Sequence, residues 1–141
     1  MISVSKKASI NASADEVWNT ISDFNGLPRF IPLIVDSRVE GEGVGAVRTI
    51  TLQDGQQGVE TLEHLDDQTM TLRYSLKDDP ARPFKGYVST MKLVSLGDNL
   101  CELEWSSTFE AQGGASEEEA KALPSGLYEI GIAGLKRLHE N

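Results

Sequence analysis

Residues 86–110 read GYVSTMKLVSLGDNLCELEWSSTFE, and this stretch decides the fold. Two strand-like runs, Gly86–Leu96 and Leu100–Glu110, flank the turn cluster Gly97-Asp98-Asn99, the pattern of a β-hairpin. In the first run Tyr87, Ser89, Met91 and Leu93 alternate with Val88, Thr90, Lys92 and Val94. Lys92 marks the second set as the outer one, so Tyr87 and Ser89 are expected to point inward. In the second run Leu103 and Trp105 alternate with Glu102 and Glu104, which assigns Cys101, Leu103 and Trp105 to the core side.

Upstream the same signals recur. Val35–Glu40, Ala46–Gln53, Val59–Leu65 and Thr69–Lys77 are β-rich runs. They are separated by Gly41/Gly43/Gly45, Asp54-Gly55, Asp66-Asp67 and Asp78-Asp79-Pro80. Gaps this short join only antiparallel neighbours, so the strands form a meander. Val4–Ile10 supplies a first strand. Ser13 with Glu16 forms a capping box, and Val17, Ile21 and Phe24 follow at helical spacing up to Gly26. Leu27–Ile31 adds a second short helix before Pro32. After Gly113-Gly114, Ser116 and Glu119 open a long helix that runs towards His139. Leu123, Leu127, Ile130, Leu135 and Leu138 mark one side of it, and Pro124 is expected to kink or restart it. The expected fold is α+β: a curved antiparallel sheet of about seven strands wrapped on a long C-terminal helix, two short helices lying between the first two strands. Residues 1–141 read as one unit.

Composition narrows the function. The 141 residues carry 22 acidic and 13 basic side chains, a formal charge of −9 at pH 7. That balance disfavours nucleic acid and anionic membrane surfaces as partners, since both are held by clustered Lys and Arg. The longest apolar run, Phe30–Val35, is broken by Pro32 and falls far short of the roughly 20 residues a membrane span needs. One cysteine, Cys101, excludes an internal disulfide, and Lys6 and Lys7 are followed by no apolar signal-peptide core. A cytoplasmic protein without membrane insertion is expected; the sequence leaves monomer or weak dimer open.

The interior looks incompletely filled. A helix about 10–12 Å wide cannot cover a groove of some seven strands spaced by roughly 4.8 Å. Gly126, Gly131 and Gly134 on that helix signal either close helix–sheet packing or a ligand cavity. Polar groups also face inward. Parity puts Arg48 with Ile50 and Leu52, Glu60 with Leu62 and His64, and Leu72, Tyr74 and Leu76 on one face. An inward Arg48 and Glu60 on adjacent strands form either a site or a structural clamp.

Several stretches resemble the START-like, or helix-grip, superfamily (SRPBCC), closest to its bacterial polyketide cyclase/dehydrase-like branch. They are Ala12–Trp18 with Asp23-Phe24, Gly45–Thr49 followed by Asp54-Gly55, Glu60–Asp67, Trp105–Phe109 and the glycine-bearing last helix. The likeness extends to the plant abscisic-acid receptors and the birch-pollen allergen group. It implies a cavity between the sheet and the last helix for an apolar or amphipathic small molecule. It further implies that Arg48, Glu60, Tyr87 and Ser89 supply polar contacts there. Three departures speak against hormone sensing. The region around Pro32 and Leu33 lacks the receptors' lysine, Gln56-Gln57-Gly58 replaces their gate proline, and Arg82-Pro83 replaces their latch His-Arg. The Gln53–Gly58 and Asp79–Lys85 loops are expected at the pocket mouth.

Other chemistries find little support. Gly41–Ala46 fits a nucleotide-binding fingerprint but leads into a strand rather than a helix. Asn11-Ala12-Ser13 has the form of a glycosylation sequon, yet Ser13 is needed as a cap. Glu60 and His64, about 13 Å apart along a strand, cannot share a metal ion. No metal or cofactor is expected. The leading expectation is a binding or carrier protein for a lipid, isoprenoid or polyketide-like molecule. Leu52, Leu72, Leu76, Leu123 and Leu127 would supply affinity, with Tyr74, Trp105 and Gly131 beside them. The alternative is an aromatase/cyclase or dehydratase using Glu60 as base with Tyr87 or Arg48 polarising a carbonyl. A carboxylate beside an arginine is a weak base, which counts against it.

Overall fold

The alternation in residues 86–110 closes as anticipated. In the computed structural model, which describes residues 1–140, β6 (Phe84–Gly97) and β7 (Leu100–Ala111) pair antiparallel across the two-residue turn Asp98-Asn99. Met91 lies opposite Trp105 and Leu93 opposite Leu103, and all four are buried. The other strands are β1 (Ile2–Ile10), β2 (Ile34–Glu40), β3 (Val47–Leu52), β4 (Gln57–Asp66) and β5 (Thr71–Leu76). The order across the seven-stranded sheet is β1-β7-β6-β5-β4-β3-β2, every pair antiparallel. β2 to β7 form the meander, and β1 returns beside β7. This is the expected α+β helix-grip architecture.

One strand departs from simple parity. β4 bulges between Leu62 and His64, so Glu63 and His64 both lie exposed while Leu65 faces Leu72. The extra residue turns His64 away from the face that Glu60 and Leu62 share, contrary to the sequence expectation.

Helix α1 (Ala14–Ile21) starts at Ser13, whose Oγ accepts the Glu16 amide at 3.2 Å. It ends earlier than expected. The Ser22 amide donates to the Trp18 carbonyl, and Phe24 lies beyond the last turn, buried but not helical. Leu27–Arg29 forms a single 3-10 turn with Pro28 at its start, shorter than the second helix expected there. It delivers Phe30 and Ile31 to the core.

Helix α2 (Glu117–His139) opens on a complete capping box. Ser116 Oγ accepts the Glu119 amide at 3.1 Å, and the Glu119 carboxylate accepts the Ser116 amide at 3.2 Å. It runs unbroken through Pro124 and forgoes one backbone bond there, so it does not restart. The buried stripe is Ala120, Pro124, Tyr128, Gly131, Gly134 and Leu135. Leu123, Ile130 and Leu138, expected to face inward, are about two-fifths exposed. The small residues win because the helix backbone lies directly against β7 and the segment that follows the 3-10 turn. A Cβ at Gly134 would sit 1.7 Å from the Phe30 carbonyl oxygen, and one at Gly131 would sit 2.5 Å from the Trp105 ring. Of the two readings of these glycines, close packing holds at this end of α2. No described helix is long and apolar enough to cross a membrane.

Candidate functional site

β3 and β4 bring Arg48 and Glu60 directly opposite each other, as their short connection dictates. Arg48 Nε donates to Glu60 Oε1 at 2.7 Å, with both side chains nearly sealed from solvent. Arg48 Nη1 donates to the Phe24 carbonyl at 3.0 Å. The guanidinium lies over the rings of Phe24 and Tyr74, at 4.0 and 4.7 Å. Arg48 is thus clamped by charge, hydrogen bonds and two aromatic faces, an arrangement that offsets the desolvation of a buried ion. Its Nη2 is buried without a partner. Glu60 Oε2 receives no hydrogen bond, is not fully enclosed, and belongs to a residue on a cavity wall.

That cavity, about 60 Å³ in volume, lies between the sheet and the first half of α2. Ile50, Leu52, Leu76, Phe84, Leu123, Pro124 and Leu127 give it apolar walls. Glu60, Tyr74 and Tyr87 stand at its inner end, and Gln56, Gln57, Gly58 and Arg82 at its mouth. Arg82 ties the mouth together, donating to the Gln57 carbonyl at 2.6 Å and the Lys77 carbonyl at 3.2 Å.

Behind the inner end lies a buried polar network. Tyr87 and Tyr128 share a short hydrogen bond, and Tyr128 meets Ser89 Oγ at 2.9 Å. Ser89 Oγ donates to the Ser106 carbonyl at 3.0 Å, and Trp105 Nε1 donates to Ser89 Oγ and Tyr74 Oη at 3.2 and 3.3 Å. Trp105 stacks on Tyr128 with ring centroids 4.5 Å apart. Burial pushes the Tyr74, Tyr87 and Tyr128 hydroxyls upward in pKa, which keeps all three protonated at neutral pH.

Of the residues singled out from sequence, Leu52, Glu60, Tyr74, Leu76, Tyr87, Leu123 and Leu127 stand together around this cavity. Arg48, Leu72, Ser89 and Trp105 lie behind the wall, each at most 2 % exposed, and Gly131 packs on Trp105. Tyr128, which joins the network to the helix, was not anticipated. Its spacing from Pro124, four residues before, and Gly131, three after, is the signal that would have found it. Among the described residues, no cluster of three His, Cys, Asp or Glu could hold a metal ion.

Comparison with known proteins places this geometry in a family. Residues 1–140 match the family model described as polyketide cyclase / dehydrase and lipid transport. No curated protein sequence matches the chain. Among solved structures, the protein XoxI from Bacillus cereus is 31% identical, with a TM-score of 0.90 over 99% of this chain and 96% of its own. A START superfamily protein from Mycobacterium smegmatis is 20% identical, with a TM-score of 0.81 over 98% of this chain and 97% of its own. The di-domain ARO/CYC BexL from the BE-7585A biosynthetic pathway is 16% identical, with a TM-score of 0.81 over 97% of this chain and 46% of its own. The latter two likenesses speak to the fold alone. The full-length family match and the XoxI identity together show that the chain belongs to the polyketide cyclase/dehydrase and lipid-transport family, within the START-like helix-grip fold.

Proposed function

We propose that the protein binds or carries a small amphipathic molecule between the sheet and the first half of α2. One observation carries this reading: apolar walls converge on the Glu60 carboxylate, whose counter-ion Arg48 is sealed behind it. Apolar area supplies affinity in such a site, and a few polar groups fix orientation. At about 60 Å³ the space is smaller than the roughly 150 Å³ that takes up a benzene ring, so it seats only a small head group and the rest of a ligand must displace the rim. A ligand of lipid size displaces the exposed Leu123 and the partly buried Leu127 at the rim. The single, buried and unpaired Cys101 fits a cytoplasmic carrier.

Native mass spectrometry of the purified protein, followed by denaturing extraction, tests the reading. A discrete bound mass is the expected result; a protein that stays empty when small amphiphiles are added would contradict it. Leu127→Trp should fill the rim and abolish binding, with a stability change of about 1 kcal/mol or less for this partly buried position at the cavity edge.

The second reading is a cyclase, aromatase or dehydratase with Glu60 as base, favoured by the placement of that carboxylate on the cavity wall. The Arg48 bond occupies Oε1 and holds the carboxylate in an ion pair, and among the described residues no second carboxylate or histidine stands opposite it in the cavity, so binding is preferred. Glu60→Gln separates the two: it would destroy turnover by an enzyme and only change the affinity of a carrier.

A further inference from the structure

We infer that the molecule taken up presents an uncharged hydroxyl, not a carboxylate or an ammonium, to the inner end of this cavity. The inference rests on the binding reading above and names its ligand class.

The first argument is hydrogen-bond direction. A carbonyl can only accept, so the single proton of Ser89 is committed to the Ser106 carbonyl. Ser89 Oγ therefore accepts from the Tyr128 hydroxyl, at 2.9 Å, and from Trp105 Nε1, at 3.2 Å. With its proton given to Ser89, Tyr128 must accept from Tyr87. Tyr87 lines the cavity, yet its proton is drawn inward and its oxygen keeps only lone pairs to offer. Glu60 likewise offers only an acceptor, Oε2, because Oε1 already receives Arg48 Nε. Of the groups lining the inner end, Tyr74 alone keeps a proton to give, its oxygen accepting from Trp105 Nε1, while the unpartnered Arg48 Nη2 lies behind the wall. The inner end is thus rich in acceptors and demands a donor, which a hydroxyl supplies while accepting from Tyr74.

The second argument is charge. Arg48 and Glu60 cancel each other at 2.7 Å inside the fold. An entering carboxylate would bring an uncompensated negative charge against Glu60, and an ammonium an uncompensated positive charge near Arg48. Arg82 stands at the solvent-side mouth, where two of its five N–H groups donate to the Gln57 and Lys77 carbonyls, and not at the inner end. A hydroxyl adds no net charge.

Three probes with one tail test this: 4-propylphenol, 4-propylbenzoate and 4-propylbenzylamine, titrated into the 15N-labelled full chain at neutral pH. Shifts of the Gly58, Leu76 and Leu127 amides report the cavity. The phenol should bind at least about tenfold more tightly than either charged probe. A benzoate or benzylamine that binds as tightly, with the same amides shifting, overturns the hydroxyl assignment and leaves the binding reading intact. Shifts at none of these amides with any probe overturn both. Glu60→Gln removes the anion beside Arg48 and should swing preference towards benzoate, lowering the phenol-to-benzoate affinity ratio by about tenfold or more. An unchanged ratio contradicts the assignment. If that variant does not fold, Tyr87→Phe should weaken phenol severalfold and leave benzoate unchanged; equal weakening of both counts against the assignment.

Discussion

The two ends of α2 meet the rest of the fold in opposite ways. Near Gly131 and Gly134 the helix backbone presses on the Trp105 ring and the Phe30 carbonyl, with no room for a methyl group. Near Leu123 and Leu127 it stands off, and the space between is the cavity. A Cβ at Gly126, by contrast, would meet nothing within 4 Å. The glycines at the closed end fix how near the helix lies, and Pro124 and Tyr128 mark where contact gives way to space. Close packing at one end thus coexists with open space at the other. Interiors are otherwise packed to the density of organic crystals, so such a space is a built feature.

The ion pair at the base of the open end gives the largest expected effect. Arg48→Met leaves Glu60 buried without its partner and should cost about 3–5 kcal/mol in chemical denaturation. A loss below about 1 kcal/mol would mean that the pair is solvated and that the inner end is not an enclosed site.

Next comes a direct contrast along α2. Gly134→Ala forces a methyl onto backbone and should cost about 3 kcal/mol, the upper range for overpacking. Gly126→Ala should instead stabilise by up to about 1 kcal/mol, through helix propensity alone. Equal effects at the two positions would erase the distinction between the ends.

The smallest effect is electrostatic. His139 Nε2 meets Thr20 Oγ1 at 2.8 Å, joining the last turn of α2 to α1. Burial lowers the His139 pKa below its ordinary 6.5, with Glu16 opposing and Arg29 assisting. The folded state therefore binds fewer protons than the unfolded one. The contribution is present above the ordinary histidine pKa and is lost as pH falls through the lowered folded value. His139→Gln should flatten the stability profile between about pH 7 and pH 5. A native profile no steeper than that of the variant would remove His139 from the closed end.

Sequence carried the sheet well where a strand alternates against a charged marker, as at Arg73, Lys92 and Glu104. It also carried Arg48 and Glu60, since strand parity and a short connection leave them little choice but to meet. Two features escaped for physical reasons. The bulge at Glu63 adds one residue, and parity counted past it assigns His64 to the wrong face. On α2, leucines at helical spacing drew the core face towards Leu123, Ile130 and Leu138. The true stripe runs through Ala120, Pro124, Tyr128 and Gly131, residues whose smallness or single hydroxyl matters only once the sheet is in place. Tyr128 went unseen for the same reason: its role depends on Tyr87, Ser89 and Trp105, which come from other strands.

The most direct test of the contrast is a map of amide shifts on the intact chain saturated with 4-propylphenol. Shifts confined to Gly58, Leu76, Tyr87 and Leu123–Leu127, with Gly131–Leu135 silent, are the predicted result. Shifts centred on Gly131–Leu135 or on the outer face of β2 and β3 would contradict it, as would saturation that moves no amide around the cavity.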